Sequence, residues 1–211
     1  MKQGYDRIAS HFSDTRHDPW PEFSFLVPFI TQEKRLLDVG CGNGRLGGAI
    51  QVTHYTGLDL SRQLLTIAQK RFPSYTFVHG SVLQLPFSNE QFDVVACVAT
   101  LQHIPSIPYR KLAMQEMARV LKPNGTLFML NWNLAEQPQY QQYRAGDEYD
   151  QGDYLIPWKN DQGEILTKRY YHGFTLPEIV GVIHELPLQL IRNEIGQDGR
   201  NILTVLTKPK K

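Results

Sequence analysis

Between Leu36 and Gly44 an apolar run ends in an acid and then in three glycines at alternate positions, Leu-Leu-Asp-Val-Gly-Cys-Gly-Asn-Gly. Glycine lets backbone approach a ligand closely and adopt conformations that a Cβ forbids, and a strand followed by such a turn opens onto a helix N-terminus. Asp38 decides what kind of ligand. A carboxylate two residues before the first glycine repels a pyrophosphate and attracts a cation. Asp59, 19 positions beyond Gly40, stands at the separation from which an acid reaches the hydroxyls of a ribose bound over the turn. It could also serve as a cap for the helix that starts beside Ser61. Reading Gly42, Gly44 and Gly47 as G-x-G-x-x-G, the dinucleotide pattern, leaves Gly40 and Asp38 without a role.

These residues need a scaffold. Strand-like and helix-like segments alternate from about residue 34 to 132, the pattern of a parallel sheet covered by helices on both faces. Strands are expected at Arg35 to Val39, Tyr55 to Asp59, Tyr75 to His79, Phe92 to Val98 and Thr126 to Asn131. Helices are expected near 44–50, 62–72 and 107–121, the second capped by Ser61 and turning Leu64, Leu65, Ala68 and Phe72 toward the sheet. Lys122-Pro-Asn-Gly125 stops the third, because proline cannot continue a helix and Asn-Gly supplies a left-handed turn. Residues 133–169 break the rhythm with many Gln, Tyr, Asp and Gly, and read as an irregular substrate-side insertion. Thr175-Leu-Pro-Glu178 has the spacing of a capping box, and strands near 188–195 and 201–207 follow. At the front, Tyr5, Ile8 and Phe12 fall at helical spacing, and a short helix begins at Pro21 and is cut by Pro28.

With 211 residues the chain fits one domain that needs no disulfide or metal: a helical cover over 1–33, a ligand-binding core over 34–132, the insertion over 133–174, and a closing helix and strands over 175–211. A net charge of +1 neither demands nor excludes nucleic acid. Cys41 and Cys97 lack metal-site spacing and read as small apolar packers in a reducing, cytoplasmic setting, with no metal. No apolar stretch approaches the length of about 20 that crosses a bilayer.

The acid-glycine turn resembles that of the class I S-adenosylmethionine-dependent methyltransferases, whose methyl donor carries both an ammonium and a sulfonium. The resemblance implies a Rossmann-like α/β fold, with a seven-stranded sheet, six strands parallel and one antiparallel. It places S-adenosylmethionine, and the product S-adenosylhomocysteine, against Tyr5, Asp38, Gly40, Cys41, Gly42, Gly44, Asp59, Leu60, Ser81, Val82, Leu83 and Cys97. Ser81 stands where relatives often have an acid that meets the adenine. Phe92 to Pro105, with Gln102 and His103, corresponds to the segment that runs beneath the methyl group into the acceptor pocket.

Three further blocks are similar to the tRNA wobble-uridine carboxymethyl methyltransferases: Tyr5-Asp-Arg-Ile-Ala-Ser-His-Phe-Ser-Asp-Thr-Arg16 with Pro19-Trp-Pro21, Gly152-Asp-Tyr-Leu-Ile-Pro-Trp158, and Arg169-Tyr-Tyr-His-Gly-Phe174. That family esterifies the carboxylate of 5-carboxymethyluridine in the tRNA anticodon. The resemblance implies Arg16, His103, Arg169, Tyr170 and His172 at the chemistry, with Arg144, Lys159, Lys168, Lys208, Lys210 and Lys211 available to phosphates. It also implies a small zinc-binding activator protein pairing along the edge strand Tyr75 to His79. Gln102-His103 stands where better-known members have paired histidines, and Gly173 where a bulkier apolar residue is usual. A small-molecule acceptor, or a catalytically silent RNA-binding scaffold, are the alternatives that fold alone leaves open.

Overall fold

The computed structural model describes residues 2–15, 20–50 and 52–210, without the side chains of 2–4. Its elements, in chain order, are α1 (Lys2–Asp14), β1 (Arg35–Val39), α2 (Arg45–Ala49), β2 (His54–Asp59), α3 (Arg62–Arg71), β3 (Thr76–His79), β4 (Phe92–Val98), α4 (Ile107–Val120), β5 (Leu121–Trp132), β6 (Asp153–Lys159), β7 (Ile165–His172), α5 (Leu176–Ile183), β8 (Gln189–Ile195) and β9 (Asn201–Thr207). Short 3-10 turns at Pro21–Phe25 and Val27–Phe29 take the place of the expected helix at Pro21.

Seven strands form one sheet in the order β3-β2-β1-β4-β5-β9-β8. The first five pair in parallel, and β9 runs antiparallel to both of its neighbours, so six strands share one direction. The expected seven-stranded, mostly parallel architecture is therefore present. The alternation of side chains across each strand divides the core between two faces: Leu37 and Val39 pack with Met114 and Met117 of α4, whereas Leu36 packs with Leu46, Phe23 and Leu26. From β1 the chain winds outward through β2 to β3, then returns to place β4 on the other side of β1. In such open sheets the crevice at the carboxyl ends of the strands, where the order reverses, is where ligands bind.

Local signals in the sequence act as their chemistry requires. Ser61 caps α3 by accepting from the Leu64 N–H at 3.2 Å. At α5 the capping box is complete, with Thr175 Oγ1 accepting from Glu178 N–H at 3.3 Å and the Glu178 carboxylate from Thr175 N–H at 2.7 Å. Asn124 takes φ of +59° after α4, which is the left-handed turn expected of Asn-Gly. Strand β5 starts earlier than expected because Leu121 already pairs with Phe92 ahead of that turn.

The stretch over 133–169, expected to be irregular, instead carries a 3-10 turn at Pro138–Tyr143 and an antiparallel hairpin of β6 and β7. Pro157 obscured the strand in the sequence, yet proline is tolerated because β6 is the edge of a two-stranded sheet. Tyr154, Ile156 and Tyr171 bury one face against Leu134. The root of the hairpin is held by a buried polar cluster. Tyr170 donates its hydroxyl to Asp153 Oδ1 at 2.7 Å, His172 Nδ1 lies 2.7 Å from the same oxygen, and Arg110 of α4 donates to Tyr170 at 2.7 Å and approaches Asp153 at 3.5 Å. Lys208, expected to be free for phosphate, is buried and donates to the Ala118 and Leu121 carbonyls at the end of α4.

Among the described residues Asp153 is the sole carboxylate against Arg110, and its removal strands a buried guanidinium. Asp153→Ala should lower unfolding free energy by about 3–5 kcal/mol, measured by urea denaturation followed by circular dichroism; a loss below about 1 kcal/mol would show that the cluster does not hold the hairpin.

Candidate active site

The glycine turn leaves β1 and immediately adopts left-handed backbone, with φ of +74° at Gly40, +55° at Gly42 and +77° at Gly44. At Gly40 a Cβ would lie 2.1 Å from Thr100 Oγ1, so only glycine lets the turn pass under the loop after β4. At Gly42 a Cβ would have only Phe12 near it, at 3.7 Å, because that side faces a cavity. The turn is pinned from the next strand: Gly40 and Cys41 donate to the Leu58 carbonyl at 2.7 and 3.0 Å, and Gly42 N–H donates to Asp59 Oδ2 at 2.9 Å. The other Asp59 oxygen accepts from Ser61 N–H at 2.8 Å. Asp59 therefore joins the glycine turn to the start of α3 while also lining the cavity.

The cavity measures about 380 Å³, within the range of small-ligand sites. Asp38 and Asp59 line it, and neither has an ion-pair partner within 4 Å among the described residues, although Arg45 also lines the cavity and its charge acts on Asp38. Burial raises the Asp38 carboxyl to about 7, against the lowering effect of the Tyr55 hydroxyl that it accepts at 2.6 Å and with a contribution from the Asp59 charge. Burial also raises Asp59, opposed by its backbone N–H donors. Two carboxylates strained in this way form a site that a cation relieves. Leu60, Ser81, Val82 and Leu83 add a flat, mostly apolar wall. Helix α1 closes the top, bringing Tyr5 and Phe12 into the lining. It is tied down by a hydrogen bond from Ser61 to Asp6 at 2.6 Å, by one from Asn43 to Ser13 at 3.2 Å, and by one from the Trp158 indole to His11 at 2.9 Å.

The hairpin contributes a cation to the lining. Arg169 of β7 is 9 % exposed, lies 4.4 Å over the Trp158 ring and 5.0 Å over the Tyr171 ring, and has no carboxylate within 4 Å among the described residues. Among the described residues its Nε has no hydrogen-bond partner. Tyr171 is stacked in turn on Trp132, with centroids 5.1 Å apart. His103 is fixed by two bonds: Nδ1 is 2.9 Å from the Tyr170 carbonyl, and Nε2 is 2.9 Å from the Tyr5 hydroxyl. A carbonyl only accepts, so Nδ1 carries the proton and Nε2 accepts from Tyr5. Burial lowers the imidazole to about 4, with the Arg169 charge acting in the same direction, so His103 is neutral at physiological pH.

A family described as a methyltransferase domain matches residues 37–129, from β1 into β5. A protein of Encephalitozoon cuniculi that is provisionally named a methyltransferase is 33% identical over 205 residues, 97% of this chain and 93% of its own length. The tRNA (carboxymethyluridine(34)-5-O)-methyltransferase of Schizosaccharomyces pombe is 30% identical over 178 residues, 84% of this chain and 73% of its own. The chain belongs to the tRNA carboxymethyluridine methyltransferase family. The mouse member is 31% identical over 155 residues, 72% of this chain but 23% of its own, so this chain spans less than a quarter of that longer protein. Among solved structures, a SAM-dependent methyltransferase of Methanosarcina mazei superposes with a TM-score of 0.73 at 21% identity, covering 92% of this chain and 100% of its own. A chain of the complex between the Haloferax volcanii Trm112 methyltransferase activator and its partner superposes with a TM-score of 0.71 at 17% identity, covering 100% and 98%. These two share the class I fold.

Family membership makes S-adenosylmethionine the methyl donor, and the residues fit it: unpaired carboxylates face an apolar cavity at the end of β1 and β2, beside a glycine whose open side a Cβ would fill. Of the residues expected at the site, Tyr5, Asp38, Gly40, Cys41, Gly42, Asp59, Leu60, Ser81, Val82, Leu83, His103 and Arg169 all line this cavity. Four do not. Gly44 begins α2, and a Cβ there would meet Phe72 and Phe77 behind the turn. Cys97 is sealed in the core facing α4, its thiol pushed up to about 12 by burial. Tyr170 and His172 project from the face of β7 opposite to Arg169 and Tyr171, into the Asp153 cluster. Arg16 lies outside the described residues, as do Pro19 and Lys211. Tyr171 and Trp132 were missed as lining residues. Strand periodicity could have found the first, since residues 169 and 171 share a face.

Because Asp38 titrates near 7 before ligand arrives and a cationic ligand selects its ionised form, affinity for S-adenosylmethionine should climb as pH rises toward 7 and level off above it. Calorimetry between about pH 5.5 and 8.5 should show a limiting slope of about tenfold per pH unit on the acid side. Asp38→Asn should bind more weakly above pH 7 and lose that slope; an unchanged slope would assign the titration to another group.

Proposed function

We propose that this S-adenosylmethionine-dependent methyltransferase esterifies the carboxylate of 5-carboxymethyluridine at the wobble position of tRNA. The observation that carries this reading is the Arg169 guanidinium, buried between aromatic rings with no counter-ion among the described residues, in the wall of the same cavity as Asp38 and Asp59. A buried cation held only by neutral groups is costly, and an anionic acceptor supplies the missing charge. The names of the relatives support the choice of anion.

Asp38 and Asp59 hold the positive donor, Gly40 and Gly42 let it approach the backbone, Leu60, Val82 and Leu83 pack its base, and Ser81 offers that base a hydroxyl. Cys41 and Tyr5 line the same space. When bound, S-adenosylmethionine supplies an electrophilic methyl group on a sulfonium. Arg169 anchors the acceptor carboxylate, and Trp132, Tyr171 and Trp158 keep water from it. A carboxylic acid with a pKa of about 4 is already ionised at neutral pH, so the nucleophile requires orientation and no base. Neutral His103 suits this chemistry as a positioning group: through Nε2 it directs the Tyr5 hydroxyl. Tyr170, Asp153, His172 and Arg110 set the root of the strand that presents Arg169.

On the RNA side, Lys159 and Lys168 are exposed on the hairpin that carries Arg169, where phosphates of an anticodon loop can reach them. The unpaired edge of β3 offers a strand-pairing surface for an activator of the Trm112 kind.

Nucleoside mass spectrometry of tRNA carrying 5-carboxymethyluridine, incubated with enzyme, cofactor and an activator subunit, should show conversion to the methyl ester. Arg169→Gln should lower kcat/KM by about 100-fold or more while cofactor affinity holds. Transfer to small carboxylic acids with none to any tRNA would refute the RNA assignment. At saturating cofactor and tRNA, kcat should be flat between about pH 6 and 9, since neither the acceptor nor His103 titrates there; a limb near 6.5 would mark a general base.

A further inference from the structure

Buried side-chain polar atoms without a hydrogen-bond partner occur, among the described residues, on Gln102, Asn131 and Arg169. Two of these, Gln102 and Arg169, line the same cavity. Arg169 anchors the acceptor carboxylate, whereas Gln102 has no part in that contact.

Gln102 is fully buried in the 3-10 turn that follows β4. Its Oε1 accepts from the Trp132 N–H at 2.6 Å. That bond settles which way the amide faces, because a backbone N–H can only donate and the amide oxygen must meet it. The Nε2 amino group is thereby aimed away from Trp132 with nothing to receive its protons. Trp132 stacks on Tyr171, and Tyr171 carries the Arg169 guanidinium over its ring. The neighbouring His103 contacts Tyr5 and the Tyr170 carbonyl. Gln102 therefore belongs to the part of the cavity wall that carries Arg169.

We propose that Gln102 is a second positioning residue for the methyl acceptor, its Nε2–H donating to the acceptor carboxylate that Arg169 anchors. The inference rests on the carboxylate reading and adds a division of labour to it. Two buried donors left unpaired in one cavity are matched by one group that has two oxygens. A second cation would hold the anion more tightly but withdraw charge from the attacking oxygen. A neutral amide orients without that penalty. Esterification then removes the charge that Arg169 holds, whereas the amide hydrogen bond can persist to the ester carbonyl, so the grip relaxes without being lost.

Gln102→Glu is the discriminating variant. It retains size and the oxygen that receives the Trp132 N–H, and it replaces the donor by an anion. The probes are two anticodon stem-loop RNAs, one with 5-carboxymethyluridine and one with uridine at the wobble position, titrated into enzyme saturated with S-adenosylhomocysteine. Wild type should prefer the carboxymethylated RNA. Gln102→Glu should reduce that preference by about 10- to 100-fold, with affinity for the uridine RNA and for S-adenosylhomocysteine unchanged. Gln102→Met, neutral and without a donor, should also reduce it, and thermal denaturation checks that either variant is folded. Preference retained in both variants but lost in Arg169→Gln overturns the role of Gln102 alone. Weaker binding of S-adenosylhomocysteine to Gln102→Glu reassigns the donor to the cofactor and overturns it equally. No preference in wild type overturns the carboxylate reading together with this one.

Discussion

The site is organised by charges that the fold buries and does not pair. Asp38 of β1 and Asp59 of β2 line a largely apolar cavity with Arg169 of β7, and among the described residues no ion pair within 4 Å joins them. Placed side by side they would neutralise one another and leave nothing to recognise a substrate. Kept apart, each charge pays a desolvation penalty that only a ligand of opposite sign removes. The positively charged donor and the negatively charged acceptor we propose fit that arrangement, and their charges fall together as the methyl group moves. Transfer between them is helped by the same dry surroundings that make the empty site uncomfortable.

Holding such charges in place takes secondary support, and the structure distributes it over three elements. Asp59 accepts two backbone N–H groups and so ties the glycine turn to α3. Helix α1 adds Tyr5 from above and is fastened through Asp6 to Ser61 and through His11 to Trp158. The Asp153 cluster anchors β7 to α4. Asp59 both lines the cavity and accepts from the Ser61 N–H at the start of α3. The cap of α3 itself is Ser61, which accepts from Leu64.

The cofactor half of the site was legible in the chain because its signals are local. The acid, the glycines and Asp59 lie at the ends of adjacent strands, and each carries its backbone requirement in its own residue type. The acceptor half depends on partners distant in sequence. Tyr170 and His172 look as available for catalysis as Arg169, and only the pleat of β7 sends them to the opposite side. Lys208 reads as a solvated tail residue until β9 lays it under the end of α4. The hairpin itself was hidden by Pro157 and by flanking Gln, Asp and Gly. What exposes Gln102 as a site residue is a missing bond, which no residue-level pattern encodes.

The pleat of β7 also limits how this part of the molecule can vary in length. The turn over 160–163 is exposed, and a Cβ at Gly163 would touch nothing, so residues gained or lost at the tip leave the strands below in register. A single residue gained between Tyr171 and His172, with His172 held in the root, would exchange inside for outside. Arg169 would then face the Asp153 cluster and a phenol would face the donor. Divergent descendants of this chain are free to lengthen the hairpin at its end, whereas an odd-numbered change nearer the base removes the Arg169 cation from the cavity wall in one step.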